Sequence, residues 1–239
     1  MHNSAVEKEF ERALEAILAR VFHMEDANKA GLSSLPGSLE NTRIAIAYSG
    51  GLDSSALLHL AHRFAVETGC KLFAFHVHHG LNPNADDWLA HCENECQRLG
   101  VSFDCRKVKV DRQSSDGIEA DARLKRYQAL GEMCREHGVP LLLTAHHEDD
   151  QVETVLLQLM RGAGVAGLSG MEASGYSPEL LGDNKLVLGR PLLSVSRSEL
   201  ESCLSSIGAS HVDDDSNIDV KYTRNAIRHK LVPVLDKLF

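Results

Sequence analysis

Short apolar segments rich in Val, Ile, Leu and Phe recur along the chain at 44–48, 72–77, 101–110 and 139–144. Between and beyond them lie stretches whose apolar positions repeat at helical spacing: 54–67, 85–99, 118–137 and 149–160. Strand and helix alternating in this way predict βαβ units, and therefore an α/β fold with a doubly wound, mostly parallel sheet and helices on both faces. An amphipathic helix is predicted over 5–22, followed by a loose Gly-, Ser- and Pro-bearing stretch at 31–37. A glycine-dense loop at 162–170 leads to a strand near 186–188 and to two C-terminal helices, near 196–206 and 222–238. No internal repeat or low-complexity segment interrupts this order. Ligands of such sheets bind beyond the carboxyl ends of the strands, so the segments that follow strands are the places to look for chemistry.

Composition narrows the class. Hydrophobic residues at 43% and charged residues at 25% of 239 suit a globular chain. No apolar run approaches the roughly 18 residues of a spanning helix, and residues 1–20 are charged throughout without a secretory core. A cytoplasmic protein without a membrane partner is expected. Six scattered cysteines with no C-x-x-C pair read as reduced thiols. A net charge of -9 argues against gripping nucleic acid by bulk electrostatics, though not against a local basic patch.

The strongest motif follows the first strand: Ser49-Gly50-Gly51-Leu52-Asp53-Ser54. Two glycines permit a sharp turn and close approach to a ligand, the serines offer hydroxyls, and a helix start supplies unpaired N–H groups to an anion. The dipole alone contributes only about 0.3–2 kcal/mol, so the amide and hydroxyl contacts must carry the binding. The alternative is a plain strand-to-helix turn capped by Asp53 or Ser54. No G-x-x-x-x-G-K-[ST] loop is present, and a phosphate site without that lysine suits release of pyrophosphate. Gly162-Ala-Gly-Val-Ala-Gly167 matches G-x-G-x-x-G but follows a helix, so the dinucleotide context fails.

A second motif, Thr144-Ala-His-His-Glu-Asp-Asp-Gln-Val-Glu-Thr154, leaves the fourth strand. With a helix starting near His146, His146, Asp150 and Glu153 share one stripe, and Val152, Val155, Leu156, Leu159 and Met160 form another that faces the core. Such a stripe could hold Mg²⁺ or bind and deprotonate an amine; the alternative is acidic residues at a helix N-terminus. A zinc site from His76, His78, His79, His146 and His147 lacks any H-E-x-x-H spacing. Arg123 and Arg126 lie one helical turn apart, with Glu119 placed to pair with Arg123. A turn at 213–217 precedes a helix with Arg224, Arg228 and Lys230, either a capped basic helix or a phosphate contact.

Together these segments resemble the tRNA(Ile)-lysidine synthetases, a branch of the PP-loop (N-type) ATP pyrophosphatases, over about residues 42–235. Carrying the resemblance, besides the two motifs above, are His76-Val-His-His-Gly-Leu81, Gly117-Ile-Glu-Ala-Asp-Ala-Arg123 with Arg126-Tyr127, Arg161-Gly-Ala-Gly-Val-Ala-Gly-Leu168, Arg190-Pro-Leu-Leu193, and Asp214-Asp-Ser-Asn217 with Arg224-Asn225. The resemblance implies that ATP adenylates the ring carbonyl oxygen of the wobble cytidine in an isoleucine tRNA, and that free L-lysine then displaces AMP to leave lysidine. ATP and Mg²⁺ are the implied cofactors. tRNA(Ile) with a CAU-type anticodon and lysine are the implied partners, and a homodimer is left open. Ser49, Gly50, Gly51, Leu52, Asp53 and Ser54 are implied to hold ATP, with Arg123 and Arg224 on phosphate or RNA. Asp53, His146, Asp150 and Glu153 are the implied catalytic set, and Asp53 and Asp150 the metal ligands. Residues 1–40 read as a helical extension and 41–239 as the catalytic domain, the family's C-terminal tRNA-binding domains being expected to be absent. Rival readings are a tRNA thiolating enzyme, or a non-catalytic ATP-binding module.

Overall fold

The computed structural model describes residues 4–21, 39–111, 113, 117–213 and 223–238. The expected loose stretch at 31–37 and most of the turn at 213–217 lie outside them. Six strands form one sheet: β1 (Arg43–Ala47), β2 (Lys71–His78), β3 (Ser102–Lys107), β4 (Leu141–Leu143), β5 (Ser174–Tyr176) and β6 (Val187–Gly189), in the order β3-β2-β1-β4-β6-β5. All neighbours pair in parallel except β5, which runs antiparallel to β6 at the edge. The doubly wound sheet expected from the pattern is the one observed. Because the chain leaves β1 toward β2 and β3 and later returns to β4 on its other side, the switch point lies between β1 and β4.

Strand alternation divides the core. Ile44 and Ile46 of β1 join one apolar cluster with Phe10, Leu14 and Leu18 of α1 (Ala5–Val21), Leu57, Leu58 and Phe64 of α2 (Leu52–Thr68), and Cys92 and Cys96 of α3 (Ala85–Leu99). Ala45, between them, faces the second cluster with Tyr127, Leu130 and Met133 of α4 (Ile118–Glu136) and Leu181 of α6 (Pro178–Leu181). Helix α1 therefore packs into the same core as the sheet. β5 and α6 were not predicted; at three and four residues they are too short to show a period.

The remaining helices are α5 (Glu148–Met160), α7 (Arg197–Ser206), α8 (Thr223–Ala226) and α9 (Val232–Leu238), with a π-helical turn at Ile227–Leu231 joining the last two. The apolar stripe of α5 does not face the core as its spacing predicted. Val152, Leu159 and Met160 are 41–56% exposed, and the one buried side chain of the helix is Glu153. No helix among the described residues is long and apolar enough to cross a membrane.

Candidate active site

β1 delivers the chain to its carboxyl edge and turns into α2 through residues 48–51. Gly50 adopts φ +86°, and a Cβ there would lie 2.9 Å from Cys92 Sγ and 3.1 Å from Val212. Gly51 is extended (φ -72°, ψ 166°) with no neighbour of a hypothetical Cβ closer than 3.7 Å. Only the first glycine is therefore demanded by the turn; the second leaves the loop wall bare. The Ser54 hydroxyl accepts from the Ser49 amide (3.2 Å) and donates to the Gly51 carbonyl (3.0 Å), Ser55 donates to the Gly50 carbonyl (3.1 Å), and the Val212 amide donates to that same carbonyl (2.9 Å). The loop is thus tied from within and from the segment that follows α7, while no side chain caps the first turn of α2. Those amides remain available to an anion. Gly51→Ala is expected to leave the unfolding midpoint nearly unchanged and weaken ATP binding by ~10-fold or more, about 1.4 kcal/mol. Gly50→Ala costs roughly 1–3 kcal/mol of stability from backbone strain, before the clash with Cys92. Thermal melts and nucleotide titrations check both; equal destabilisation would contradict the division.

The first turn of α5 faces this loop across the switch point. His147, not His146, caps the helix, and the Asp150 carboxylate accepts from its amide (3.1 Å). This one-residue shift corrects the expected stripe: His146 precedes the helix and does not share a face with Asp150 and Glu153. It is His147, 1% exposed, that joins the carboxylates, with Nε2 3.6 Å from Asp53 and 3.5 Å from Asp150, and Nδ1 3.3 Å from Asp149. Burial opposes its charge, yet contact with Asp53, Asp150 and Asp149 raises its pKa above the ordinary 6.5. Burial would likewise raise Asp53, but His147, Arg197 and Arg228 hold that carboxyl below its usual range. The stability that His147 contributes is fully present below pH ~6.5 and is lost as pH rises through its folded-state value. Wild-type melting temperature is expected to fall on raising the pH across that interval, and His147→Asn to flatten that fall; an unchanged pH profile in the variant would contradict the assignment.

Glu153 is buried and its carboxyl is raised by burial, with Arg228 opposing. The Arg228 Nε donates to Glu153 Oε1 at 2.5 Å and its Nη2 to Asp150 Oδ1 at 3.3 Å.

A cationic bay lies beside the acidic turn. His146 bonds through Nδ1 to the Thr144 hydroxyl (2.9 Å), and burial, then the charges of Arg190, Arg123 and Arg224, push its pKa down to about 3. It is therefore a neutral group at pH 7. His79 is pushed down to about 4 by burial and by Arg126. Arg123 stacks over Tyr127 (4.9 Å to the ring centroid) rather than pairing with Glu119, and Arg224 donates to the Thr154 hydroxyl (3.3 Å). Arg126 is half-buried, not exposed beside Arg123 as expected, and its covered Nε has no hydrogen-bond partner; the Nε of Arg190 has none either, although its Nη1 donates to the Glu172 carbonyl (2.8 Å). None of these four arginines pairs with a described carboxylate. Two guanidinium nitrogens covered without partners, in a cluster of four arginines that no described carboxylate neutralises, suit this bay to an anion. The imidazoles of the zinc alternative are engaged elsewhere: His76 with the Tyr48 carbonyl and His78 with Asp86. Among the described residues no group of three or more His, Cys, Asp and Glu side chains is placed to hold a metal ion.

Loop, acidic turn and cationic bay thus meet at the carboxyl ends of β1, β4 and β6. A family profile described as a PP-loop domain matches residues 21–235. The chain belongs to the PP-loop family. Among curated relatives, the tRNA(Ile)-lysidine synthase of Burkholderia mallei is 51% identical over 210 residues, covering 88% of this chain and 41% of the relative. That of Actinobacillus pleuropneumoniae serotype 3 is 46% identical over 189 residues, 79% of this chain and 42% of its own. That of Coxiella burnetii is 43% identical over 195 residues, 82% and 42% respectively. The PP-loop chain therefore spans about two fifths of the length of these relatives. Among solved structures, the U34-tRNA thiolase NcsA from Methanococcus maripaludis, with its [4Fe-4S] cluster, superposes with a TM-score of 0.65 at 17% identity, over 86% of this chain and 65% of that one. At that identity the likeness is one of fold.

Sequence reading singled out the loop, Asp150, Glu153, Arg123 and Arg224. His147 entered only the zinc alternative and Arg190 only the resemblance, while Arg126 and Arg228 were weighed as phosphate contacts and not as partners of buried groups. The i, i+4 spacing of Arg224 and Arg228 on one helix face was the signal for the last of these.

Proposed function

We propose that this PP-loop chain activates the ring carbonyl oxygen of the wobble cytidine of tRNA(Ile) with ATP and joins L-lysine to that carbon, forming lysidine in the cytoplasm. The observation that carries this reading is the meeting of a phosphate loop with Asp150 and the buried Glu153 across one switch point, in a chain 43–51% identical to tRNA(Ile)-lysidine synthases. Ser49, Gly50, Gly51, Leu52, Asp53 and Ser54 take the pyrophosphate end of ATP. Arg123, Arg126, Arg190 and Arg224 supply positive charge for the α-phosphate and for RNA phosphate. The cytidine oxygen attacks the α-phosphorus and pyrophosphate leaves; the lysine amine then attacks the ring carbon, and AMP departs with the oxygen.

An amine of pKa near 10.4 costs roughly 4–5 kcal/mol to deprotonate at pH 7. Asp150 and Glu153 are placed to bind the lysine ammonium, and Glu153 is suited to take its proton, because burial raises its carboxyl above the ordinary range. His147 Nε2 lies between Asp53 and Asp150, whose charges favour its protonated form, and so holds two carboxylates near one another. His146, neutral and weakly basic, serves as a polar wall rather than a base. The residues suit Mg²⁺ held through one or two carboxylates plus phosphate oxygens: Asp53 keeps a buried Oδ1 with no hydrogen-bond partner. Asp53 and Asp150 would hold the ion, whose charge would offset that of the phosphates.

The thiolating alternative needs accessible, acidic thiols. Cys92 and Cys96 are fully buried, and burial raises both, Cys96 to about 12, the reverse of an activated nucleophile. The test is ATP-dependent incorporation of labelled lysine into a tRNA(Ile) transcript with C at the wobble position. Incorporation that fails when the wobble base is U supports the reading; transfer of sulfur instead of lysine overturns it.

A further inference from the structure

The two carboxylates assigned to the amine are already taken. Arg228 forks across them, Nε to Glu153 and Nη2 to Asp150, and its guanidinium is itself three-quarters buried. A lysine ammonium and this guanidinium require the same oxygens, so they cannot be bound there together. We propose that Arg228 is the resident counter-ion of the amine pocket, and that lysine is admitted only after bound nucleotide has drawn the guanidinium from the carboxylates toward its phosphates. The inference rests on the assignment of lysine to Asp150 and Glu153.

Three observations make the exchange physically reasonable. Arg228 and Asp53 sense each other's charge, so the guanidinium lies within electrostatic reach of the phosphate loop as well as of α5. Arginine forks onto carboxylate and phosphate with the same geometry, and a polyphosphate offers more negative charge than two carboxylates. Finally, the segment that carries Arg228 is lightly fastened. It lies on the π-helical turn between two short helices, and of residues 223–238 only Ile227 is buried among the described side chains. A segment with so little buried apolar surface shifts at small cost. The consequence is ordered binding: without nucleotide only the small fraction of molecules with Arg228 displaced can accept lysine, which weakens the apparent affinity by that fraction.

Calorimetric titration of the chain with L-lysine, with and without saturating α,β-methylene-ATP, tests this. In the wild type, lysine is expected to bind ~10-fold or more tightly with the nucleotide analogue present. Arg228→Gln is expected to bind lysine without nucleotide more tightly than wild type does, and to reduce that ratio to about one. Arg228→Lys, charged but unable to fork, should give an intermediate ratio. Equal wild-type affinity with and without analogue overturns the gate and leaves the lysine site standing, and this comparison needs no variant. Weaker lysine binding in Arg228→Gln, or a ratio unchanged from wild type, also overturns it, since a merely structural arginine would give one of these. Absence of lysine binding to the wild type even with analogue overturns the lysine assignment, and the gate with it.

Discussion

Asp53→Ala is expected to reduce lysine incorporation into tRNA(Ile) by at least ~10²-fold while the chain still folds, as read by the incorporation assay and a thermal melt in parallel. Asp53 sits in the first turn of α2, a third exposed, and contributes nothing to either apolar cluster. Its importance is electrostatic. Its Oδ2 lies 3.6 Å from His147 and its Oδ1 3.6 Å from Arg197, and neither contact gives the buried Oδ1 a hydrogen bond. Removing it takes the negative charge from that corner and withdraws one of the three carboxylates that raise the His147 pKa. Asp53→Asn preserves the shape without the charge and should be nearly as inactive. Wild-type turnover in either variant would contradict the assignment.

Glu153→Gln is expected to lower kcat by ~10²–10⁴-fold, the range typical for loss of a positioned base. The sign of the pH dependence follows from burial. Burial raises the carboxyl above the ordinary 4.5, so it keeps its proton to a higher pH than an ordinary glutamate does, and in that form it cannot accept a proton from the amine. Wild-type activity should therefore climb as pH rises through that folded-state value. The variant should lose this limb and keep only the shallower dependence set by lysine itself. A variant that retains both the rate and the limb would place the base elsewhere. Because Arg228 then lacks its closest acceptor, some loss of stability is expected too, and a melt separates this from the catalytic loss.

The phosphate loop and the architecture that presents it were legible in the sequence, because both rest on local patterns: a buried strand, a glycine pair, and apolar positions at a period of two or of 3.6. The site beyond the loop was less so. Placing the start of α5 near His146 instead of at Glu148 moved the imidazole from His147 to His146, and a shift of one residue on a helix turns a side chain by about 100°. The apolar face of α5 followed helical spacing correctly, but spacing cannot say which neighbour covers a face, and Val152, Leu159 and Met160 lie exposed. Arg228 reaches carboxylates 75 and 78 positions earlier in the chain, a pairing that depends on tertiary packing alone. Arg126 and Arg190 were readable as arginines but not as carrying a covered Nε without a partner, since that property belongs to the packing around them.

Whether the loop activates an oxygen on RNA can be read from where that atom goes. A tRNA(Ile) transcript carrying ¹⁸O at the carbonyl of its wobble cytidine, incubated with the chain, ATP and lysine, should yield AMP containing one ¹⁸O by mass spectrometry. Unlabelled AMP formed alongside lysine-bearing tRNA would mean that ATP had activated some other group, and would contradict the proposed chemistry.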